Sequence, residues 1–254
     1  MIYSSFFDII NEGDSMYTLQ NYILIFFIVS IIGWLMETLL NYIETKKIVD
    51  RGFLLGPYCP IYGTGVLIII LFLSKYENDL IVLYIMSTLM CSVLEYVTSY
   101  AMEKMFNARW WDYSQIKYNL NGRICLTNSL LFGLGGLLVV IFIAPFLVHM
   151  INYIPVKTQN IVANILLIIY LIDNIISFGV VLRFRKLNYK FKEKKDNTEE
   201  ISVMIKHKIE SSFFIKKIMK AYPSIKNKFN EIMNELNKKI DDIDIMKKHK
   251  KKGK

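Results

Sequence analysis

Five runs of mostly apolar residues, each about as long as a bilayer is thick, constrain the fold of this chain most strongly. They lie near residues 21–43, 53–73, 80–102, 124–150 and 161–182. A hydrocarbon core about 30 Å thick takes roughly 20 residues of α-helix to cross. The hydrophobic content of 54% and the mean hydropathy of +0.34 are also too high for an ordinary soluble surface. We therefore predict an all-α, polytopic membrane protein with five transmembrane helices.

Basic residues between the runs alternate, and this predicts the orientation. The segments predicted to be cytoplasmic hold 29 Lys and Arg, whereas those predicted to be outside hold only Lys75 and Lys157. Cytoplasmic loops carry the excess of Lys and Arg. Residues 1–20 contain no Lys or Arg and three acids, so we expect a retained extracytoplasmic segment rather than a secretory signal. The prediction is a multi-pass plasma-membrane protein with the N-terminus outside and the C-terminus in the cytoplasm.

The tail, residues 183–254, carries most of the positive charge. It holds 22 of the 31 Lys and Arg and 10 of the 22 acids, a net charge of +12 against −3 for the rest. Its first part is charged, and we expect it to be flexible; an amphipathic pattern near residues 224–246 then predicts a helix. A basic segment beside a membrane is attracted to anionic lipid headgroups, which we favour over nucleic acid as the partner.

The first four runs resemble a tandem duplication, which would make two parallel two-helix repeats followed by a fifth helix. An offset of 58 places Glu37 on Glu95, and an offset of 70 places Gly52 on Gly122. Two spans in each repeat leave both halves pointing the same way, so the predicted domain of residues 21–182 has a pseudo-twofold axis along the membrane normal. Chance similarity of two helical hairpins is the alternative. A homo-oligomer is compatible with this arrangement.

Three acids, Glu37, Glu95 and Asp173, lie inside the predicted spans. A rise of 1.5 Å per residue puts them roughly 9–14 Å from the inner ends of their helices. A carboxylate facing lipid would cost about 3 kcal/mol or more, so we expect all three on polar faces inside the bundle. They could bind a cation, a proton or a cationic substrate. Alternatively, they could pair with an arginine at the inner edge or hydrogen-bond between helices.

The remaining candidate ligand-binding residues surround these acids near the inner boundary: Arg51, Tyr58, Tyr62, Asn121 and Arg123. Pro57 and Pro60 disfavour regular helix at the start of the second run, which predicts either a vestibule or a simple kink. Trp110 and Trp111 are typical of aromatic anchors in a membrane belt.

Several chemistries lack the residues they need. The sequence has no GxxxxGK[ST] motif, so the chain is not itself a P-loop ATPase. No Cys and His pair is positioned for nucleophilic catalysis, and no cluster has the spacing of a metal site. The three cysteines lie within spans or at their inner ends, so a disulfide is not expected. We predict no cofactor, no metal and no enzymatic activity.

Three segments carry a resemblance to a known family. They are GWLMET from Gly33, GFLLGPYCPIYG from Gly52, and WWDYSQ with NLNGRICL between Trp110 and Leu126. Over about residues 22–182 the chain resembles a bacterial membrane family labelled putative ABC-transporter type IV permease. This resemblance implies a permease subunit that works with a separate ATPase.

Two functional hypotheses follow. In the first, the protein is a permease-like transport component whose site is formed by Glu37 and Glu95, one from each repeat, facing each other across the axis. In the second, it is a non-transporting membrane protein, either an enzyme of lipid or envelope metabolism or a regulatory partner. The carboxylates and arginines would then bind a lipid headgroup.

Overall fold

The structure is a computed structural model that describes residues 17–50, 52–106, 109–193, 207 and 212–221, and the pairs 226–227, 230–231, 233–234 and 237–238. The N-terminal segment up to residue 16 and the candidate site residue Arg51 lie outside the described residues. Most of the helix predicted at 224–246 lies outside them as well.

α-Helices make up nearly all of the regular structure in the described part of the chain. They are α1 Leu19–Thr45, α2 Pro60–Leu73, α3 Leu80–Phe106, α4 Leu126–Leu138, α5 Ala144–Asn152, α6 Val156–Glu193 and α7 Phe213–Ala221. A 3₁₀ turn, Ser74–Tyr76, extends α2, and a π-helical segment, Val139–Ile143, joins α4 to α5. Pro145 follows this segment and has no N–H for the helical ladder, which accounts for the widened turn.

Four helices are long and apolar enough to cross a bilayer: Leu19–Thr45, Leu80–Met105, Leu126–Asn152 and Val156–Val180. Their outer faces expose large apolar side chains such as Ile32, Leu89 and Ile175. Apolar surface of this extent marks contact with lipid or with another protein, and the length of these helices fits a bilayer. The protein is therefore a multi-pass helical membrane protein, as predicted. Helix α6 continues to Glu193, beyond the predicted end at residue 182, because no Gly or Pro stops this Lys- and Arg-rich stretch.

The second apolar run is only partly helical. Its helix begins at Pro60 and spans 14 residues, about 21 Å at 1.5 Å per residue, which is less than the hydrocarbon thickness. We call residues 52–59 the entry loop; they form no helix or strand. Its backbone is paired inside the protein, since the N–H of Cys59 donates to the carbonyl oxygen of Ser30 at 2.8 Å. The two prolines had predicted this break.

A glycine allows α1 and α2 to pack closely. A Cβ atom on Gly63 would lie 2.4 Å from Ser30 Oγ and 2.5 Å from the carbonyl oxygen of Phe26. Both distances are far shorter than real Cβ contacts. Small residues at such positions are the usual means by which membrane helices approach each other.

Helices α3 and α4 pack in the same manner. A Cβ atom on Gly133 would lie 2.4 Å from Thr88 Oγ1 and 2.6 Å from the ring of Tyr84. One turn further along α4, a Cβ atom on Gly136 would lie 2.0 Å from Ser87 Oγ. Gly133 and Gly136 are therefore positions of close helix packing, whereas a Cβ atom on Gly135 would have no atom within 4 Å.

The apolar core lies at one end of the bundle. It joins the start of α1, the end of α2, the start of α3 and the end of α5, through residues such as Ile25, Leu73, Leu83 and Ile151. The acids lie further along α1, α3 and α6, toward the other end, where the entry loop begins and the α3–α4 connection runs.

A small β-hairpin lies in the α3–α4 connection, and its residues determine the type of turn. Strands β1 Asn119–Leu120 and β2 Ile124–Cys125 pair antiparallel, with Leu120 opposite Ile124. Asn121 and Gly122 both have positive φ angles, 55° and 67°, as a tight Asn-Gly hairpin turn requires. The turn closes through the N–H of Arg123, which donates to the carbonyl oxygen of Leu120 at 3.0 Å.

The first part of the tail differs from the prediction of a flexible segment, because α7 forms there. Ile215 and Ile218 of this helix are 5% and 3% exposed. Lys216 and Lys220 are exposed. The spacing of apolar and Lys residues in FFIKKIMKA thus makes an amphipathic helix, and the rest of the protein covers its apolar face.

Candidate functional site

Glu37 is held by a tyrosine from the neighbouring helix. Its Oε1 accepts a hydrogen bond from the Tyr62 hydroxyl at 2.7 Å. Gly33 lies one turn earlier on the same face of α1, and a Cβ atom there would be 2.4 Å from the Tyr62 ring. The absent side chain at Gly33 thus makes room for the ring that reaches Glu37. The spacing of Gly33 and Glu37 in GWLME is the sequence basis for this contact.

Glu95 is more deeply buried, with 8% of its surface exposed. Its Oε1 accepts a hydrogen bond from the Tyr113 hydroxyl at 3.0 Å. The other carboxylate oxygen, Oε2, is buried and has no hydrogen-bond partner among the described residues. Ser92 and Ser99, on the same face of α3, are also buried. This part of the polar stripe of α3 faces the bundle interior, as its sequence predicted.

The hairpin turn positions Tyr113. The N–H of Tyr113 donates to the carbonyl oxygen of Gly122 at 2.8 Å, and a side chain at Gly122 would collide with Asp112 and Ser114. Burial, and then the neighbouring Glu95 carboxylate, raise the pKa of the Tyr113 phenol above its usual range. The phenol therefore keeps its proton and donates to Glu95 at neutral pH.

The two carboxylate–tyrosine pairs lie on adjoining elements, because α2, which carries Tyr62, packs against α3, which carries Glu95. The α1–α2 pair and the α3–hairpin pair therefore meet in one region of the bundle. We call these two pairs the carboxylate–tyrosine cluster. Carboxylates inside a helical bundle are the kind of group that accepts a proton or a compact cation.

Asp173 has a different environment, since four donors surround its carboxylate. The N–H groups of Leu55 and Gly56 donate to it at 2.9 and 2.7 Å, and the Tyr58 hydroxyl donates at 2.5 Å. Ser177 Oγ is the fourth donor, at 2.9 Å. Asp173 is 6% exposed. This carboxylate anchors the entry loop to α6 and satisfies backbone groups that have no helical partner.

Arg123 pairs with an acid that the sequence had not singled out. Its Nη2 lies 2.7 Å from Glu103 Oε2, and Arg109 Nε lies 3.4 Å from the same oxygen. The guanidinium also stacks over the rings of Tyr96 and Tyr100, at 5.6 and 5.2 Å. Arg123 Nη1 is buried without a hydrogen-bond partner in the described structure.

The predicted site residues therefore separate into three places. Glu37 with Tyr62, and Glu95 with its new partner Tyr113, form the carboxylate–tyrosine cluster. Asp173 and Tyr58 hold the entry loop. Asn121 and Arg123 lie at the hairpin, where Asn121 Nδ2 donates to the Tyr96 hydroxyl at 3.0 Å.

Sequence reasoning missed Tyr113 and Glu103. Trp110, which had been predicted to be a belt aromatic, is only 7% exposed and packs against Phe53. The sequence feature that could have revealed the contact of Tyr113 with α3 is WWDYS followed by NGR. Its Asn-Gly turn folds the segment back onto α3. Among the described residues, no group of three His, Cys, Asp or Glu side chains could hold a metal ion.

Comparison with known proteins identifies the family. A family model described as "Putative ABC-transporter type IV" matches residues 24–178. The chain belongs to this family. The match covers the four membrane-crossing helices almost entirely, together with α2, the entry loop and the hairpin, and it ends before α7. No curated protein and no solved structure matches the chain. The carboxylate–tyrosine cluster therefore lies within the residues that match the family, whereas the tail helix lies outside them.

Proposed function

We propose that this protein is the membrane-spanning component of a transporter, and that Glu37 and Glu95 form its cation-binding site in the inner half of the bilayer. Family membership and four apolar helices of membrane-crossing length support the general function. The observation that supports the site is Glu95 Oε2, a buried carboxylate oxygen without a partner among the described residues.

A buried polar oxygen without a partner costs free energy that a ligand can recover. Leaving such a group unsatisfied costs about 1–3 kcal/mol, and more if it is charged. A proton, a metal cation or the ammonium of a substrate would each supply the missing partner. The Tyr113 hydroxyl holds one oxygen of Glu95 and leaves the other for the ligand. Glu95 is thus oriented without a salt bridge to Arg123, which pairs with Glu103.

The proposed site lies between two parallel repeats, α1–α2 and α3–α4. The glycine contacts support this arrangement: Phe26 and Ser30, shifted by 58 residues, become Tyr84 and Thr88. Gly63, shifted by 70, becomes Gly133, and each glycine contacts its corresponding pair. The same three positions are therefore in contact in both hairpins, which supports a repeat over chance similarity of two hairpins. Under this proposal Glu37 and Glu95 are equivalent residues facing a common axis.

The entry loop and α2 together form the remaining span in this proposal, which restores five crossings. Hydrogen bonds from the loop to Asp173 and Ser30 support it, because non-helical backbone at membrane depth must be paired within the protein. Five crossings place the N-terminus and the tail on opposite sides. The distribution of Lys and Arg then puts the tail in the cytoplasm, where anionic headgroups attract it.

A transporter component of this family needs a separate ATPase, because the chain has no P-loop motif. Full-length tagged protein should therefore co-purify with a P-loop ATPase from gently solubilised native membranes. The Glu37→Gln and Glu95→Gln variants should retain the ATPase, since the proposed site lies inside the bundle. Recovery of the full-length protein with no ATPase across several mild detergents would count against the transporter.

Arg123 supports a second candidate, a non-transporting membrane protein that binds an anionic lipid headgroup. Its buried Nη1 has no partner in the described structure and could donate to a phosphate oxygen. Native mass spectrometry separates the two proposals. Anionic lipid that is retained by the wild type, lost in Arg123→Gln and unaccompanied by an ATPase would favour this alternative.

A further inference from the structure

Lys217 of the tail helix is almost completely enclosed at the entry loop. Its side chain is 6% exposed, and its Nζ lies 2.8 Å from Asp50 Oδ2. The ammonium also donates to the carbonyl oxygen of Leu54, and it lies 3.4 Å from that of Leu55. A lysine ammonium has three N–H donors, and three oxygen atoms surround this one.

These oxygens belong to a structure that does not depend on the tail. Asp50 Oδ1 accepts from Trp34 Nε1 at 2.7 Å and from the N–H of Gly52 at 3.0 Å, which leaves Oδ2 to face the ammonium. On the opposite side of the loop, the N–H groups of Leu55 and Gly56 donate to Asp173. The peptide groups are thus held with their carbonyl oxygens directed toward Lys217.

We propose that Asp50 and the carbonyl oxygens of Leu54 and Leu55 form a binding site for a primary ammonium group, which Lys217 occupies as a tethered competitor. One carboxylate and two carbonyl oxygens match the charge and the donors of R–NH₃⁺. A quaternary ammonium has no N–H group and would not be held. When α7 leaves, the site is open to a small amine arriving from the side of the tail.

The tether explains why Lys217 excludes free amines. A group attached to the same chain presents an effective concentration in the millimolar range, so a free amine must exceed that concentration to compete. The buried side chains of Ile215 and Ile218 add to this advantage. Removal of the Lys217 ammonium should therefore increase the apparent affinity of the site for a primary amine by at least about tenfold.

Equilibrium binding of radiolabelled methylammonium tests the proposal in full-length protein in lipid nanodiscs. Every protein compared, including the one with Lys217 and Asp50 unchanged, also carries Glu37→Gln/Glu95→Gln, so that the other proposed cation site does not contribute to the binding. Lys217→Ala should bind methylammonium at least about tenfold more tightly than the protein with Lys217 unchanged. The double variant Lys217→Ala/Asp50→Asn should lose this binding, since Asn keeps the acceptor for Trp34 but removes the charge. Lys217→Ala/Glu44→Gln, which alters an exposed acid at the end of α1, is the matched control and should bind like Lys217→Ala. Unlabelled methylammonium should displace the label, whereas tetramethylammonium should not.

Equal binding by Lys217→Ala and its Asp50→Asn double variant would overturn the proposal, and so would the absence of saturable binding by Lys217→Ala. A measurement without any change at Lys217 provides an independent check. In wild type, acetylation of Lys217 should be at least about tenfold slower than that of exposed Lys216 and Lys220, because an enclosed, ion-paired amine is inaccessible. Asp50→Asn should bring the three rates together. Equal rates in wild type would show that Lys217 does not occupy the site.

Discussion

At the scale of single residues, Asp173 and Glu95 have different roles because their hydrogen-bonding surroundings differ. Asp173 accepts hydrogen bonds from two backbone N–H groups and two hydroxyls, and all of them belong to the protein. Glu95 accepts from Tyr113 alone and keeps one buried oxygen without a partner in the described structure. A carboxylate whose oxygens all accept hydrogen bonds from the protein stabilises the fold. A carboxylate with an oxygen that lacks a donor gains free energy when it binds a ligand. This contrast is why Glu95, rather than Asp173, is central to the proposed site.

Tyr113→Phe should destabilise the protein, because it removes the donor from a buried carboxylate. The expected loss in the free energy of unfolding is about 1–3 kcal/mol. Tyr118→Phe, at an exposed position of the same connection, is the matched control and should change it by less than about 0.5 kcal/mol. Equilibrium unfolding in detergent measures both variants. Equal stability of the two would show that the bond to Glu95 contributes nothing.

The pH dependence of the same variant has a definite sign. The pKa of Tyr113 is raised in the folded protein, so the unfolded chain loses this proton first as pH rises. The stabilising contribution is present below the ordinary tyrosine pKa of about 10 and is lost above it. Wild type should therefore lose more stability than Tyr113→Phe between neutral and strongly alkaline pH. Parallel stability curves would contradict the burial of the phenol.

Helix packing at the element scale depends on glycines at particular positions. A side chain at Gly63 would meet the backbone of Phe26, which cannot move without shifting α1, whereas Gly135 faces open space. Gly63→Ala should therefore cost about 1–3 kcal/mol of unfolding free energy through overpacking. Gly135→Ala should be neutral or stabilising by up to about 1 kcal/mol, since alanine favours helix. Thermal unfolding of both variants in one detergent makes the comparison. A Gly135→Ala loss as large as that of Gly63→Ala would refute the packing argument.

The helices were predictable from the sequence because apolar length and helix-breaking residues act locally. Pro57 and Pro60 identified the irregular entry loop without any knowledge of its partner. The pairing of Leu55 and Gly56 with Asp173, more than 110 residues away, depends on tertiary packing that local patterns do not contain. Tyr113 and Lys217 were missed for the same reason: each reaches its partner through a turn or helix whose docking is not local. The polar face of α3 indicated that Glu95 lies inside the bundle, but the sequence pattern did not identify the residue that donates a hydrogen bond to it.

The whole molecule combines a family-matched membrane domain with a basic tail that docks back on it through α7. The number of Lys and Arg residues in each connection predicts the side of the membrane on which that connection lies. Reporter fusions after Lys47, after Lys117 and within the tail should give cytoplasmic signals, whereas a fusion at Glu77 should give an external one. This outcome follows from the preference of Lys and Arg for the cytoplasmic side. A cytoplasmic signal at Glu77 would show that the orientation is the reverse of the predicted one or that the chain has one crossing fewer.

Cation flux that depends on Glu37 and Glu95 tests the central claim most directly. Full-length protein, reconstituted into liposomes with the ATPase that co-purifies with it, should transport at least one of H⁺, Rb⁺, methylammonium or tetraethylammonium on addition of ATP. The Glu37→Gln/Glu95→Gln double variant should insert, fold and retain the ATPase but abolish this flux, because both carboxylates lose their charge and their capacity to bind a cation. Glu44→Gln should transport like wild type. Flux at the wild-type rate in the folded double variant, or no flux of any of the four cations in wild type, would contradict the proposed site.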